Sequence, residues 1–136
     1  MQNTKTKGDV TEAVTLARLV AAGKTVLQPF GDNQRYDLAI DDDGKLVRVQ
    51  CKTGQITKGV IRFRPCSSVT HTNKNVSHKS YRGEADVFAV FCPENEKLYL
   101  VPVEDVGTGT AALRIEPTQN GQSKNVRWAS DYEMRM

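Results

Sequence analysis

An α/β fold is predicted by three features of the chain: one stretch of helical periodicity near its start, a succession of short β-branched runs after it, and turn residues between those runs. From about Gly8 to Ala22 the apolar residues Val10, Ala13, Val14, Ala17, Val20 and Ala21 recur at the spacing of one helix face. Gly23 is placed to cap the helix C-terminus, and Thr6 with Asp9 three residues on can supply a variant capping box, Asp standing in for Glu or Gln. The runs that follow, about Thr25 to Gln28, Tyr36 to Ile40, Lys45 to Lys52 and Val60 to Arg64, are short and rich in β-branched residues, the composition of strands.

Asp41, Asp42, Asp43 and Gly44 separate two of these strands. Asp and Gly tolerate the backbone angles of a tight hairpin, so this is turn chemistry. A calcium loop of the EF-hand kind also needs ligands at alternating positions and a downstream Glu, which is absent. Residues Pro65 to Ser80 are rich in Ser, Thr and Asn and read as a mobile loop, with one helical turn near its end, that reaches into a groove. His71 and His78 flank Asn73 and Asn75 there. A His-Asn-His nuclease would need flanking acids and Gly as well, so solvated or phosphate-contacting histidines are the better reading. Asp86 to Phe91 and Lys97 to Val101 form a hairpin around the turn PENE. Pro102 to Val106 is a short turn or helix, Ala112 to Ile115 a further strand, and Val126 to Tyr132 a closing segment anchored by Trp128.

At 136 residues, 38% of them hydrophobic, the chain is expected to form one folded domain spanning 1–136, with neither an internal repeat nor a linker. No apolar run approaches the roughly 20 residues of a membrane span, and the start MQNTKTKGDV lacks the apolar core of a signal peptide. A cytoplasmic location is expected, nucleoid-associated when bound to DNA. Cys51, Cys66 and Cys92 are odd in number and widely spaced, which suits reduced buried thiols rather than a zinc clip or a disulfide framework.

The net charge of +3 conceals an asymmetry. Between Gly44 and Gly83 there is no Asp or Glu, while Lys45, Arg48, Lys52, Lys58, Arg62, Arg64, Lys74, Lys79 and Arg82 all fall there. The other 10 of the 19 basic residues face all 16 acids, a net of −6 outside a +9 block. Solvated faces mix both signs, so an acid-free interval of this length points to a polyanion, and to nucleic acid above all. A membrane surface fits less well, because the charges lie on strand and loop patterns rather than on a basic amphipathic helix.

Strand alternation selects the residues that can cooperate. In LVRVQCK, Arg48, Gln50 and Lys52 share one face, while Val47, Val49 and Cys51 face the core. On the preceding strand Asp37 and Ala39 oppose Tyr36, Leu38 and Ile40, and the hairpin sets Asp37 beside Gln50 and Lys52. Glu12 is the one acid of the helical stretch beyond the capping-box Asp9. Two carboxylates and an amide carbonyl are hard oxygen ligands suited to Mg²⁺, and Lys52 can orient a water or stabilise phosphate oxygens.

The order of Glu12 in GDVTEAVTLARLVAAG, Asp37 in NQRYDLAID, and Gln50 and Lys52 in VRVQCKTG resembles the PD-(D/E)xK nuclease superfamily, and within it the homing endonucleases associated with group I introns. The similarity continues through YRGEADVFAVFCPENEKLYLVPVEDV and RIEPTQNGQSKNVRWASDYEM. The resemblance implies a restriction-endonuclease-like core, a central mixed β-sheet flanked by helices, and cleavage of double-stranded DNA with Mg²⁺ or Mn²⁺. Glu12 and Asp37 would then be metal-binding acids, Gln50 the variant third position and Lys52 the catalytic lysine. Tyr36 stands where the motif has Pro, and Gln50 where it usually has a carboxylate, a variation known in the intron-associated branch. DNA contacts are expected from Lys58, Arg62, Arg64, Lys74, Lys79 and Arg82, then from Asn120, Gln122, Lys124, Asn125 and Arg127. One site per chain cuts one strand, so a homodimer or homotetramer is expected. A Holliday junction resolvase, or a DNA-binding module that has lost cleavage, would use the same features.

Overall fold

The computed structural model describes residues 4–31, 33–70, 76–116 and 126–134. Its centre is a five-stranded sheet in the order β1 (Thr25–Leu27), β2 (Leu38–Asp42), β3 (Lys45–Thr53), β8 (Val87–Cys92), β9 (Lys97–Pro102). Only β3 and β8 run parallel; the other neighbours are antiparallel, so the sheet is mixed. Parallel neighbours need a long crossover, usually a helix. Here β-structure makes the crossing: β4 (Gln55–Thr57), β5 (Val60–Phe63) and the ribbon of β6 (Cys66–Thr70) and β7 (Val76–Ser80). Strands β4 and β5 join β10 (Ala111–Arg114) in a second sheet.

Two apolar cores lie on opposite faces of the central sheet. Helix α1 (Thr4–Ala21) packs on one, over Leu38, Ile40, Val49, Ala89 and Leu98. On the other, the second sheet supplies Ile61, Phe63 and Leu113 against Phe88, Val90, Tyr99 and Val101. The fold is thus α/β with a central mixed sheet, flanked among the described residues by one α-helix and a second sheet. Short 3₁₀ turns at Val103–Asp105 and Ala129–Asp131 complete it. Among the described residues no helix is long and apolar enough to cross a membrane.

The helix ends as expected. Gly23 takes φ 85°, its N–H donates to Val20 O, and Lys24 N–H donates to Leu19 O, the two bonds of a Schellman cap. Its start differs, since α1 begins at Thr4 and Thr6 lies inside it, not at a cap. Its buried face differs more. Thr11, Thr15 and Leu19 are buried, whereas Val10, Ala13, Ala17, Val20 and Ala21 are exposed. Burying two threonines is tolerable because both hydroxyls are satisfied: Thr11 Oγ1 lies 2.7 Å from Thr53 Oγ1, and Thr15 Oγ1 donates to Thr11 O at 2.8 Å.

The β2–β3 connection is a two-residue turn. Asp43 and Gly44 both have positive φ, 52° and 90°, and Gly44 N–H donates to Asp41 Oδ1 at 2.9 Å, the pattern of an Asp-Gly hairpin. The region 65–80 corrects the expected loop. It is a β-ribbon pairing Cys66 with Ser80 and Thr70 with Val76, and residues 71–75, with His71, Asn73, Lys74 and Asn75, lie outside the described residues. Trp128 does not join the core, where Ala129 is buried instead; a backbone bridge to Arg114 fixes the closing segment.

Gly54 lets β3 pass into β4 against the core, its N–H donating to Phe91 O at 2.8 Å. A Cβ there would meet Ile61 Cγ2 at 2.9 Å and Val90 Cγ1 at 3.0 Å, both branched near the backbone and unable to swing away. Gly54→Val is expected to lower stability by about 1–3 kcal/mol through overpacking, read as a lower midpoint in denaturant unfolding.

Candidate active site

Asp37 sits at the bend where β2 begins, and the chain crosses the sheet there: Tyr36 packs with the core under the second sheet, Leu38 with the core under α1. The expected shared face of Tyr36, Leu38 and Ile40 is therefore broken at Asp37. Asp37 N–H donates to Val49 O at 2.8 Å, and Asp37 Oδ2 accepts from Cys51 N–H at 2.9 Å. The carboxylate is thus locked to the backbone of β3. Regular pairing of β2 with β3 ends at Leu38 and Val49, and the two bonds to Val49 and Cys51 hold Asp37 beside the Gln50 stretch of β3.

Glu12 reaches the same place from α1. It and Asp37 line one cavity of about 310 Å³ together with Gln28, Pro29, Gly31, Gln34 and Tyr36. Burial pushes the Glu12 carboxyl above its ordinary pKa, and the charges of Asp37 and Asp9 push it further. Burial also holds Asp37 above the usual aspartate range, although the Cys51 N–H and the Lys52 charge pull it back. The field of this pair favours an added cation. Gln50 and Lys52 do not line the cavity; they sit beside it on β3. Gln50 Nε2 lies 3.4 Å from Cys51 O, which leaves the amide oxygen as the end available to a cation. Among the described residues no three His, Cys, Asp or Glu side chains converge, so the donor set is two carboxylates and an amide. Those donors fit a hard divalent ion of the Mg²⁺ class that keeps part of its water.

Lys52 is half-buried, with Nζ 3.4 Å from both Cys66 O and Tyr81 Oη and 4.8 Å from the centre of the Tyr81 ring. Burial lowers its pKa; Asp37 opposes this, and Arg35 and Arg64 add to it. Sequence reasoning missed Tyr81 and Arg35. The Arg35 guanidinium lies 4.0 Å from the centre of the Tyr81 ring and donates to Ser67 Oγ and to the carbonyls of Lys79 and Ser80. Its buried Nε is 3.2 Å from Glu84 Oε2, an ion pair whose angle leaves that N–H without a hydrogen bond. Arg35 thereby ties the β6–β7 ribbon to the site. The one signal available was its place two residues before Asp37; nothing in the spacing links it to Tyr81.

Burial pushes the Cys51 thiol up to about 12, with Asp37 and Glu12 adding to the effect, so it stays protonated. All three cysteines are free. The basic block is divided by the fold. Arg48 is taken up by Asp86, Nε to Oδ2 at 3.1 Å and Nη2 to Oδ1 at 3.2 Å. Lys79 lies 3.7 Å from Glu84, and Arg82 donates to Val106 O at 3.1 Å. Lys58, Arg62, Arg64 and Arg127 are exposed, and none of them is in an ion pair among the described residues. Lys74, Asn120, Gln122, Lys124 and Asn125 lie outside the described residues.

A family model described as PD-(D/E)XK endonuclease matches residues 2–135. The chain belongs to the PD-(D/E)XK endonuclease family. Among solved structures, that of the bacterial homing endonuclease I-Ssp6803I is similar with a TM-score of 0.77 and 25% identity, over 97% of this chain and 89% of that one. No curated protein matches the chain. Family membership and the mixed sheet agree with the resemblance read from the Glu12, Asp37 and Gln50-x-Lys52 order, and they make the chain a nuclease.

The raised Asp37 pKa has a consequence for stability. A carboxyl whose folded pKa is raised stabilises the fold below its unfolded pKa and loses that contribution as pH rises through the folded value. Asp37→Asn keeps an acceptor for Cys51 N–H and removes the charge. It is expected to melt at a higher temperature than the wild type at pH 7, with the difference shrinking towards pH 4, as thermal scans across that range would show.

Proposed function

We propose that the chain is a metal-dependent, sequence-selective endonuclease of the homing type that hydrolyses double-stranded DNA, with residues 1–136 forming a single nuclease domain. The observation that carries this is the sharing of one cavity by the Glu12 and Asp37 carboxylates, with Lys52 half-buried alongside. Glu12, Asp37 and the Gln50 carbonyl would hold Mg²⁺ or Mn²⁺. When bound, such an ion supplies Lewis acidity and neutralises charge on a phosphodiester.

The chain's own groups do the rest. Asp37, fixed by the Cys51 N–H, keeps one carboxylate oxygen directed along β3 and the other free for a ligand. Lys52 carries its positive charge into a partly desolvated position, where it stabilises negative charge growing on the phosphate oxygens more strongly than an exposed lysine would. Tyr81 holds the ammonium through its hydroxyl and ring, so Lys52 is set before substrate arrives. Lys58, Arg62 and Arg64 offer exposed charge to the backbone of the duplex, and Arg64 stands near enough to depress the Lys52 pKa. A homodimer or homotetramer supplies the second site that cutting both strands needs.

Gln50 favours one other reading, a DNA-binding module that has lost cleavage, because a neutral amide holds a cation less firmly than a carboxylate. The two separate in one experiment. Lys52→Ala and Glu12→Gln are expected to bind duplex DNA like the wild type in a gel-shift assay and to lose Mg²⁺-dependent cutting of a random-sequence library. Cutting undiminished in either variant refutes the site. No cutting by the wild type with any divalent ion leaves the binding module. A linear duplex and a four-way junction offered together decide between homing and junction-resolving activity, and preference for the junction regardless of sequence sinks the homing reading.

The basic surface has its own test. If about six phosphates are neutralised, affinity falls by roughly 10³ between 50 and 200 mM salt. A flat salt response in fluorescence anisotropy removes the basic block from DNA binding.

A further inference from the structure

Phe30 is fully exposed, at 103% relative accessibility, in the segment between β1 and β2. Its neighbours Pro29 and Gly31 line the cavity that holds Glu12 and Asp37, and Gly31 takes φ 89°, a left-handed conformation that turns the chain. The ring therefore stands on the rim of the acidic cavity, turned outward, while the amides of Gln28 and Gln34 line the cavity itself.

An aromatic side chain left wholly in water forgoes about 1.5–3 kcal/mol of burial, which a ligand seated at the cavity beside it would recover. The chemistry of the surroundings decides which. An anchor for a protein partner is normally ringed by other contacts that exclude water. Here the cavity below the ring is mostly polar: two carboxylates, two amides and the tyrosine Tyr36, with Pro29 the single aliphatic member. A nucleobase offers a π-face for the ring and hydrogen-bonding edges for the amides, and a phosphate placed at the acidic pair brings its own bases to this rim.

We propose that Phe30 is a base-stacking contact: its ring packs into a base step of duplex DNA beside the phosphate at the Glu12–Asp37 cavity, with Gln28 and Gln34 facing the same nucleotide. The inference rests on duplex DNA being the substrate. Stacking on an aromatic ring tolerates any sequence, and a side chain entering a base step holds the duplex bent against the protein. Phe30 would so fix the register of the backbone over the acids without specifying bases itself.

The test uses the full chain, Ca²⁺ in place of Mg²⁺, and a fluorescein-labelled random-sequence duplex. Phe30→Ala is expected to weaken binding by roughly 5- to 150-fold, the range of one lost base stack. Phe30→Trp is expected to keep wild-type affinity and to show indole quenching on adding unlabelled duplex, measured against wild type, whose single tryptophan is Trp128. Wild-type affinity in Phe30→Ala overturns the proposal, as does an unquenched Phe30→Trp. A shift of free Phe30→Ala to a smaller species in sedimentation velocity overturns it too and assigns the ring to a second copy of the chain. A wild type that binds no duplex brings down the DNA reading along with it, whereas a wild type that binds, matched by Phe30→Ala, brings down the stacking alone.

Discussion

The position of the candidate site depends on one hydrogen bond, between the hydroxyls of Thr11 on α1 and Thr53 at the end of β3. A helix advances about 100° per residue, and the centre of the set Val10, Ala13, Val14, Ala17, Val20 and Ala21 lies roughly 140° from Glu12. Packed on that apolar stripe, α1 would send Glu12 into solvent, far from the sheet. Packed on Thr11, Thr15 and Leu19, it leaves Glu12 only about 60° from the centre of the buried face, at the boundary where a side chain can reach the sheet end. A buried hydroxyl without a partner would cost about 1–3 kcal/mol, so this rotation is tenable only because Thr53 and the Thr11 carbonyl accept the role of partners. The hydrogen bond also joins α1 to the residue next to Lys52. Acid and lysine are thereby placed by the same contact.

A second constraint comes from the crossover between the parallel strands β3 and β8. A helix there would have covered the sheet and ended near β8, whereas the chain instead builds a small sheet and a ribbon that rise beside the site. Arg35 and Tyr81 connect them. Arg35 gathers the ribbon through Ser67, Lys79 and Ser80 and stacks on Tyr81, whose hydroxyl accepts from Lys52. Tyr81 in turn packs edge-on to Phe88, with ring centroids 5.7 Å apart, so the lysine's support is continuous with the core under the second sheet. Displacing the ribbon would disturb Lys52 without touching either carboxylate, which couples the presentation of basic residues to the geometry of the site.

Much of this was legible in the sequence, for identifiable reasons. The β2–β3 hairpin was clear because Asp43-Gly44 is demanded by its turn, and alternation set Gln50 and Lys52 two apart on β3, but it did not foresee the bend at Asp37, where Tyr36 and Leu38 part to opposite cores. The helix was found, yet its buried face was not, because apolar periodicity ignores hydroxyls that find partners 42 residues away. The ribbon was missed for a related reason: its Ser, Thr and Asn content is loop-like, and its pairing is fastened by Arg35, a residue outside the basic block. The block itself overstated the free positive charge, since Asp86, beyond its end, pairs with Arg48.

Gln50 takes its meaning from the two acids rather than from its own contacts. Burial and the charge of Asp37 already make Glu12 harder to charge, burial does the same for Asp37, and Asp37 is held in place by a backbone N–H that cannot move away. A third carboxylate at position 50 would add repulsion to this acidic pair, making the empty site costlier to the fold. A neutral amide at that position supplies an oxygen without the charge. The family's usual acid is thus replaced in a way that lowers the electrostatic strain of the unliganded site and leaves the charge on the two residues best fixed by the fold. In the proposed metal site, cation affinity would rest mainly on Glu12 and Asp37, and hence on the threonine contact that sets the helix.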